Sequence, residues 1–277
     1  MESKKKKELE DIEIQLLLDG IFQHYGYDFR DYAISSLKRR IKISVEDEHV
    51  ETISGFQEKI LHDSMCMIRF IDTMSIGVTE MFRDPAFYLA FRKDVVPVLK
   101  HLPSIRVWHA GCSTGEEVYS MAILLKEEGL LEKTTLYATD MNEEALQKAK
   151  EGIYSIKATK QYNDNYIMTG GSESFAKYYT AKYDNAIIKP ELKTKIVWAE
   201  HNLVTDGSFN EFDAIICRNV MIYFNKALQN HTHKLFYESL SATGFFIIGN
   251  KENINLSPYE KYYKVIDPKW KIYRKIK

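Results

Sequence analysis

The sequence IRVWHAGCSTGEEVYS, residues 105–120, passes from a mostly apolar run through a turn with two glycines to two adjacent acids. It predicts a strand over Ile105–Ala110 and a helix that begins at about Glu116. In an open parallel sheet, ligands bind beyond the carboxyl ends of the strands, and the first strand-to-helix turn commonly forms part of the site. Gly111 and Gly115 would allow the backbone to approach such a ligand closely. This turn is therefore the first candidate for a binding site.

The acids that follow this turn discriminate between three classes of ligand. A phosphate-binding loop needs the pattern G-x-x-x-x-G-K-[ST], but here three residues separate the glycines and acids follow them. A dinucleotide would place its pyrophosphate at the helix N-terminus, where Glu116 and Glu117 would repel it. S-adenosylmethionine has no phosphate and carries an ammonium and a sulfonium, which a carboxylate attracts. The turn favours S-adenosylmethionine, although acids in a first turn also stabilise any helix through its dipole.

A further acid ends the next predicted strand, which includes LYATD at residues 136–140. In doubly wound nucleotide sites an acid at this position accepts hydrogen bonds from ribose hydroxyls, so we predict that Asp140 binds the ribose of the cofactor. The alternative role for Asp140 is a helix cap, for which Asn142 is better placed.

Another candidate segment, CRNVMIYF at residues 217–224, ends a later strand and would face the incoming substrate. Arg218 suits a carboxylate, which a guanidinium can hold with two parallel hydrogen bonds. Arg83, in VTEMFRDP at residues 78–85, is a second candidate cation; the alternative is a surface residue beside a helix that Asp84 caps. Several histidines have no partner that spacing identifies and are predicted to be structural or exposed: His109, His201, His231 and His233.

Outside these segments the chain divides into two kinds of pattern. Residues 1–75 carry apolar residues at helical spacing and predict a small all-helical N-terminal domain. Residues 76–277 alternate strands with helices, which predicts an α/β, Rossmann-like domain around a parallel sheet. Because its first turn favours S-adenosylmethionine, we expect an S-adenosylmethionine-dependent methyltransferase domain. Between about 155 and 192 this alternation breaks, and we predict a small inserted antiparallel β-subdomain. The chain ends with a predicted antiparallel strand pair around Asp267 and Pro268.

Composition narrows the classes of function. The net charge of −1 gives no global attraction to nucleic acid. Three widely spaced cysteines indicate neither a disulfide framework nor a metal site, which fits a reducing compartment. No apolar run is long enough to span a membrane, and the N-terminus lacks the apolar region of a signal peptide. We expect a cytoplasmic protein with no metal ion, no nucleic-acid partner and no membrane insertion.

Several motifs, in order along the chain, resemble the chemotaxis receptor methyltransferases, the CheR family. They are YGYDFRDYAISSLKRRI (25–41), VTEMFRDPAFY (78–88), WHAGCSTGEEVYS (108–120), YATDMNEEALQKAKEGIY (137–154), EHNL (200–203) and FDAIICRNVMIYF (212–224). Each motif alone is weak, but their common order is specific. The resemblance implies a protein-glutamate O-methyltransferase that forms γ-glutamyl methyl esters on the cytoplasmic helical bundle of a chemoreceptor and releases S-adenosylhomocysteine.

The resemblance also implies roles for individual residues and a monomeric protein. Arg83 and Tyr223 match residues near the methyl transfer, and with Arg218 they form the implied catalytic set. The implied cofactor contacts are Gly77, Thr79, Arg83, Gly111, Glu116, Glu117, Asp140, Asn202, Leu203, Arg218 and Asn219. The basic second helix of the helical domain would meet the receptor through Lys38, Arg39, Arg40 and Lys42.

The sequence also departs from the family pattern. Gly77 stands where the family usually has an asparagine, residues 249–252 read GNKE where Gly-His-Ser-Glu is common, and the β-subdomain that binds a receptor tail is poorly matched. Residues 1–75 carry 7 lysines and 4 arginines against 15 acids, a net charge of −4, so attraction to an acidic receptor requires a local patch. Two alternatives stay open: methylation of a different acceptor, and a cofactor-binding scaffold without turnover.

Overall fold

The computed structural model describes residues 2–75, 79–255 and 257–276, with side chains from residue 7 onward. The chain divides into two compact units, here called the helical unit and the sheet unit. The helical unit comprises Met1–Ile76 and Tyr223–His231, and the sheet unit comprises Gly77–Ile222 and Thr232–Lys277. The segment that begins at Tyr223 therefore belongs to the helical unit although it comes late in the chain.

The N-terminal part of the helical unit is an assembly of amphipathic helices: α1 (Glu2–Tyr25), α2 (Ile34–Asp47), α3 (Ile53–His62) and α4 (Ser64–Met74). α1 ends where Gly26 adopts a left-handed φ of 80° and donates its N–H to the carbonyl of Phe22 at 2.9 Å. The side chains of Thr52 and Asp63 cap the first turns of α3 and α4. The inward faces bury a common apolar core that includes Leu17, Ile21, Ile41, Phe56 and Phe70.

The sheet unit contains a larger and a smaller sheet. Its strands are β1 (Ile105–Ala110), β2 (Thr134–Asp140), β3 (Ile153–Ser155), β4 (Tyr179–Lys182), β5 (Asn185–Ile188), β6 (Ile196–Glu200), β7 (Phe212–Cys217), β8 (Leu240–Ile248), β9 (Tyr263–Asp267) and β10 (Ile272–Lys275). The larger sheet has the order β6-β2-β1-β7-β8-β10-β9. Strands β6, β2, β1, β7 and β8 run parallel, and β10 and β9 pair antiparallel at one edge. The predicted α/β architecture is confirmed.

Helices connect these strands and bury the sheet. They are α5 (Pro85–Asp94), α6 (Val96–Leu99), α7 (Glu116–Glu127), α8 (Glu143–Glu151), α9 (Thr159–Met168), α10 (Pro190–Lys193) and α11 (Lys226–Ser239). The central strands read as nearly continuous apolar runs because both faces of a parallel sheet are covered. Val107 of β1, Ile216 of β7 and Leu124 of α7 are completely buried in the resulting core.

The strand order creates a ligand-binding edge. The chain passes from β1 to β2 and then to β6 on one side, and returns across β1 to form β7 on the other side. At such a switch point the connections after β1 and β7 leave in opposite directions, which opens a crevice at the carboxyl ends of the strands. The candidate residues after β1, β2, β6 and β7 therefore share one edge of the sheet.

The smaller sheet, with the order β3-β5-β4, is antiparallel and confirms the predicted inserted β-subdomain. It begins at Ile153, slightly before the predicted start. The carboxylate of Glu127 on α7 anchors this region, because it accepts hydrogen bonds from the hydroxyls of Tyr166 and Tyr178 and also pairs with Arg92. The insertion is thus attached to the helix whose first turn carries the adjacent acids.

Candidate functional site

The turn after β1 is fixed by neighbouring protein groups. The N–H groups of Gly111 and Cys112 both donate to the carbonyl of Thr139 in β2, at 2.8 and 2.9 Å. Gly111 has a φ of 77°, and a Cβ on it would lie 2.5 Å from Cγ2 of Val220. The sequence interpretation assigned this glycine to close approach of a ligand, whereas the neighbour that requires it in the structure is Val220. Gly111 therefore joins the first turn to the segment that follows β7.

Asp140 ends β2, and only 9% of its surface is exposed. Its Oδ2 accepts the N–H of Ser113 at 2.8 Å, and its Oδ1 accepts the N–H of Asn142 at 3.0 Å. The backbone N–H of Met141 also bonds to this carboxylate, so part of its acceptor capacity is used and the remainder is open to a ligand hydroxyl. Burial raises the pKa of Asp140. Asn142 caps α8 by accepting the N–H of Ala145 at 3.0 Å, which leaves Asp140 for the ribose role.

The two adjacent acids at the start of α7 have different partners. Glu117 accepts hydrogen bonds from Nδ1 of His109 at 3.1 Å and from Nη1 of Arg218 at 2.8 Å. Burial alone would raise the pKa of Glu117, but these partners outweigh burial and hold it below the ordinary value. Glu116 instead accepts the hydroxyl of Thr114 at 2.7 Å, and burial raises its pKa. Glu116 is therefore the acid of the pair that suits a cationic ligand, while Glu117 neutralises protein cations.

Arg218 connects the end of β7 to two other elements of the sheet unit. Besides Glu117, it contacts Asp84, whose Oδ2 accepts a hydrogen bond from Nη2 at 2.5 Å. The guanidinium carbon also lies 4.3 Å from the ring centroid of Phe87 in α5. Asp84 precedes α5 as predicted but makes no side-chain cap, because its carboxylate turns toward Arg218. The charge of Arg218 is therefore already matched by acids of the protein, although each Nη group keeps a second N–H.

The segment after β7 is held by Glu252, a carboxylate that sequence reasoning did not single out. It accepts the backbone N–H groups of Asn219, Val220 and Ile222 at 3.1, 3.0 and 3.3 Å, and also that of Gly249. Asn219 has a left-handed φ of 63° there. Buried backbone donors need partners, so one carboxylate with several N–H groups stabilises an unusual turn. The sequence feature that could have identified Glu252 was the GNKE motif at residues 249–252, because its final acid matches the family pattern.

The strand beside β2 contributes the next predicted contacts. After β6, His201 donates its backbone N–H to the carbonyl of Asp140 at 3.1 Å. Asn202 then forms a turn in which its N–H donates to the carboxylate of Asp206 at 2.8 Å. The neighbouring Leu203 is 7% exposed. Asn202 and Leu203 thus lie at the carboxyl edge of the sheet, next to Asp140.

The junction motif before α5 is anchored to the same edge. Phe82 and Asp84 both have left-handed φ angles, 56° and 57°, and they flank Arg83. The N–H of Phe82 donates to the hydroxyl of Ser120 in α7 at 2.8 Å, while Asp84 is bound by Arg218 as described above. Arg83 and Thr79 are partly buried. This conformation is unfavourable for residues other than glycine, and it persists only where surrounding contacts hold the backbone. Such residues are often found at functional sites.

Internal contacts engage much of the predicted basic face of α2. Lys38 pairs with Asp11 and, at 3.3 Å, with Glu10 of α1. Lys42 makes a longer ion pair, because its Nζ lies 3.9 Å from the same Glu10 carboxylate. Arg39 is exposed. The local positive field that the sequence predicted is therefore reduced by the acids of α1.

The fourth basic residue of α2, Arg40, is buried, with 1% of its surface exposed. Its guanidinium carbon lies 4.3 Å from the ring centroid of Tyr223. The chain around Tyr223 is attached to the start of α2, because the carbonyl of Tyr223 accepts the N–H of Ala33 at 2.8 Å and the side-chain amide of Asn225 donates to Asp31 at 2.8 Å. The helical unit thus brings together one residue from the predicted catalytic set and one from the predicted receptor-facing set.

The part of the chain that the structure describes has two further properties relevant to function. It contains no group of three or more histidine, cysteine, aspartate or glutamate side chains arranged to hold a metal ion. Within the same ranges, no helix is long and apolar enough to cross a membrane. One predicted cofactor contact, Gly77, lies outside the described residues.

Comparison with known proteins identifies the family. Residues 77–272 match the family model described as CheR methyltransferase, SAM binding domain, and residues 12–75 match CheR methyltransferase, all-alpha domain. The chain is 49% identical over 265 residues to Cher3 of Pseudomonas putida, covering 96% of this chain and 97% of that protein. It is 30% identical over 231 residues to the chemotaxis protein methyltransferase of Listeria innocua, covering 83% and 85% respectively. The corresponding Salmonella typhimurium protein is 28% identical over 261 residues, covering 89% and 85%.

The chemistry of the strand-end residues fits the cofactor of the matched domain. S-adenosylmethionine is cationic and carries ribose hydroxyls. The edge of the sheet offers Glu116 without a basic partner in the described chain, and Asp140 with some acceptor capacity left beyond its backbone partners. Polyphosphate ligands would be repelled by the same carboxylates. The cofactor is S-adenosylmethionine.

Proposed function

The chain belongs to the CheR methyltransferase family, and we propose that it methylates glutamate side chains on the cytoplasmic helical bundle of a chemoreceptor. The products are a γ-glutamyl methyl ester and S-adenosylhomocysteine. The observation that carries this proposal is the pair of buried carboxylates, Glu116 and Asp140, at the edge of a sheet that matches the cofactor-binding domain of the family. The chemotaxis methyltransferases among the relatives support a chemoreceptor as acceptor. We place the protein in the cytoplasm, acting as a monomer.

The proposed reaction needs no general base. When bound, S-adenosylmethionine supplies a methyl group on a positively charged sulfur. A glutamate acceptor has an ordinary pKa of about 4.3, so near pH 7 it is already a nucleophilic carboxylate. The protein has to align the acceptor and exclude water, which is how positioning accelerates a reaction between two bound groups. His109 fits this scheme as a partner of Glu117 that helps to fix the first turn of α7.

The cofactor roles follow from the strand-end residues. Glu116 attracts the cationic part of the cofactor, and Asp140 accepts hydrogen bonds from the ribose hydroxyls. Asn202 and Leu203 extend this surface along the edge next to Asp140. Thr79 and Asn219 remain assigned by the family match alone. Gly77 is kept as a cofactor contact by position only, because it stands where the family usually has an asparagine.

The acceptor roles rest on the family match and on the anchoring of each segment. Arg83 and Tyr223 are assigned to orienting the acceptor carboxylate, and the strained backbone around Arg83 fixes where that side chain begins. Arg218 is assigned a positioning role, because Glu117 and Asp84 already neutralise its guanidinium. Arg218 therefore holds the ends of three elements together rather than meeting the acceptor itself.

A methyl-transfer assay tests this function. Purified protein is incubated with methyl-labelled S-adenosylmethionine and a soluble cytoplasmic chemoreceptor fragment from the same organism, and the labelled fragment is then treated with mild base. Glutamyl methyl esters hydrolyse under these conditions, so the label is expected to leave as volatile methanol. A fragment whose acceptor glutamates are changed to glutamine is the matched control and is expected to take no label. Label that resists base would indicate a different acceptor chemistry, and a cofactor-binding protein that transfers no label would be a scaffold.

A further inference from the structure

Three buried tyrosines of the inserted region have their hydroxyls held by the protein. The hydroxyl of Tyr154 donates to the carbonyl of Thr114 at 2.7 Å. Those of Tyr166 and Tyr178 both donate to the carboxylate of Glu127. A buried tyrosine hydroxyl usually has such a partner, because leaving a polar group unpaired away from water costs free energy.

Tyr162 of α9 departs from this pattern. It is 6% exposed, and its ring centroid lies 6.3 Å from that of Tyr154 and 6.5 Å from that of Phe175. In the ranges that the structure describes, its hydroxyl makes no hydrogen bond. Tyr162 is thus a nearly buried phenol whose polar group is still available to a ligand.

The charged groups that act on Tyr162 are two carboxylates from different elements. Glu116 belongs to the first turn of α7, and Glu80 belongs to the junction motif before α5. Burial, and then the charges of these two acids, raise the pKa of Tyr162. The side chain of Asn165 in α9 donates to the carbonyl of Met81 at 3.0 Å, which fixes α9 against the junction motif. Tyr162, Glu80 and Glu116 therefore form one group, here called the acidic cluster.

A second cluster in the same unit shows what a complete arrangement of this kind contains. Around Glu127, the hydroxyls of Tyr166 and Tyr178 are joined by the guanidinium of Arg92, which pairs with the carboxylate. In the described chain, by contrast, no basic side chain pairs with Glu116. The acidic cluster thus has the carboxylates and the phenol but lacks the cation.

We propose that Tyr162 and Glu80 complete, together with Glu116, a site for the ammonium group of S-adenosylmethionine. This inference rests on the proposed role of Glu116 in attracting the cationic part of the cofactor. An ammonium has three N–H donors, and two carboxylates and a phenol oxygen provide three acceptors. Glu80 is only partly buried, so the ligand can approach the cluster from the side of the junction motif.

The proposed site gives the inserted segment a role in cofactor selection. The ammonium belongs to the amino-acid end of the cofactor and is unchanged by methyl transfer, whereas the positive charge on sulfur is lost. The acidic cluster therefore holds S-adenosylmethionine and S-adenosylhomocysteine alike, and it discriminates against adenosine compounds that lack the amino group.

The experiment compares the wild-type protein with Tyr162→Phe and Glu80→Gln. Calorimetry measures the affinity for S-adenosylhomocysteine and for its analogue without the α-amino group. The wild type is expected to prefer S-adenosylhomocysteine by about 100-fold, and each substitution is expected to reduce this preference by about tenfold, the effect of one hydrogen bond to a charged group. Affinity for the analogue should stay unchanged. The melting temperature of Tyr162→Phe should be no lower than that of the wild type, because the free protein loses no hydrogen bond.

The matched control on the same helix is Tyr166→Phe, which removes a hydroxyl that the protein itself uses. It is expected to lower the melting temperature and to keep the full preference for S-adenosylhomocysteine. A full preference in Tyr162→Phe or in Glu80→Gln, or an equal loss of affinity for both ligands, would overturn the inference. Glu116→Gln tests the premise separately: if it also keeps the full preference, the proposed role of Glu116 fails with the inference.

Discussion

The carboxyl edge of the sheet and helix α2 both carry charged residues that the sequence marks as functional, but the structure distributes them differently. At the sheet edge, Glu116 and Asp140 are buried without basic partners in the described chain, a state that suits a cationic ligand. On α2, by contrast, Lys38 and Lys42 lie against acids of α1 and Arg40 is buried. A charge is informative about ligands only when its internal partners are known.

The same contrast exists within the two adjacent acids of α7. Glu117 is neutralised by Arg218 and His109, whereas Glu116 meets only a neutral hydroxyl. Neighbours on a helix point in different directions, since successive residues are rotated by about 100°. One acid therefore neutralises protein cations, and the other is the one that we propose for the cofactor. The substitutions below separate the two roles.

The largest expected effect is on stability, in Glu117→Gln. This change leaves the buried guanidinium of Arg218 with one of its two carboxylates, and breaking a buried ion pair costs about 3 kcal/mol or more. Chemical denaturation monitored by circular dichroism measures the loss. Glu116→Gln is the matched control and is expected to keep or slightly increase the unfolding free energy, because its charged form is penalised by burial. Equal destabilisation by the two substitutions would contradict the division of roles.

The same pair of acids predicts opposite contributions to the pH dependence of stability. The folded pKa of Glu117 is lowered, so its contribution is present above the ordinary pKa of about 4.5 and is lost as pH falls toward the folded value. The folded pKa of Glu116 is raised, so its ionisation opposes folding at neutral pH. Unfolding free energies measured from pH 7 down to about pH 3 should fall less steeply in Glu117→Gln than in the wild type, with the difference confined to the range below about pH 4.5. An unchanged slope would show that Glu117 is not held ionised.

The next effect is on cofactor binding, in Asp140→Ala. The substitution removes the carboxylate that we propose for the ribose and also the acceptor for the backbone N–H groups of Ser113 and Asn142. Two lost hydrogen bonds to a charged group correspond to a weakening of S-adenosylmethionine affinity by about 100-fold. Isothermal calorimetry measures it, and Asp140→Asn should lose less because one oxygen acceptor remains. Wild-type affinity in the alanine variant would remove Asp140 from the site.

A smaller effect is expected for Glu252→Gln. The amide keeps the size of the side chain but replaces one acceptor oxygen with an N–H₂ donor that faces backbone N–H groups. Leaving a buried donor unsatisfied costs about 1–3 kcal/mol, and the turn that carries Asn219 and Val220 should loosen. The measurements are unfolding free energy and methyl-transfer rate. A stable variant with a normal rate would show that the turn is fixed by other contacts.

The smallest expected effect is for Tyr154→Phe. The hydroxyl of Tyr154, in strand β3 of the smaller sheet, donates to the carbonyl of Thr114 in the turn before Glu116 at 2.7 Å. Its removal should cost about 1 kcal/mol of stability and weaken cofactor affinity a few-fold, because the inserted sheet then no longer supports the turn. Calorimetry and thermal melting follow both quantities. A loss of stability with unchanged affinity would limit Tyr154 to a structural role.

The parts of the fold that were predictable are those encoded locally. Strands β1 and β2 and the cap at Asn142 follow from apolar runs and from polar residues that begin or end an element within a few positions. The inserted antiparallel sheet was also predictable, because the alternation of strands and helices visibly breaks there. Family motifs then placed the candidate residues at the strand ends.

The partners of those residues were not predictable, because they are distant in the chain. Arg218 is 101 residues from Glu117 and 134 residues from Asp84, and no local pattern encodes such pairs. The burial of Arg40 could not be inferred either, since a run of basic residues in a helix gives no indication of which one turns inward. For this reason the sequence assigned both adjacent acids to the cofactor and the whole basic run to the receptor.

The most direct test of the central claim is mass spectrometry of a chemoreceptor cytoplasmic fragment after incubation with the wild-type protein and S-adenosylmethionine. The account predicts that a glutamate-containing peptide gains the mass of one CH₂ as a methyl ester and loses it in mild base. With Asp140→Ala in place of the wild type, at a subsaturating concentration of S-adenosylmethionine, the peptide should be modified far more slowly. A methyl group that survives base, or one found on a residue other than glutamate, would contradict the assignment of this chain as a protein-glutamate methyltransferase.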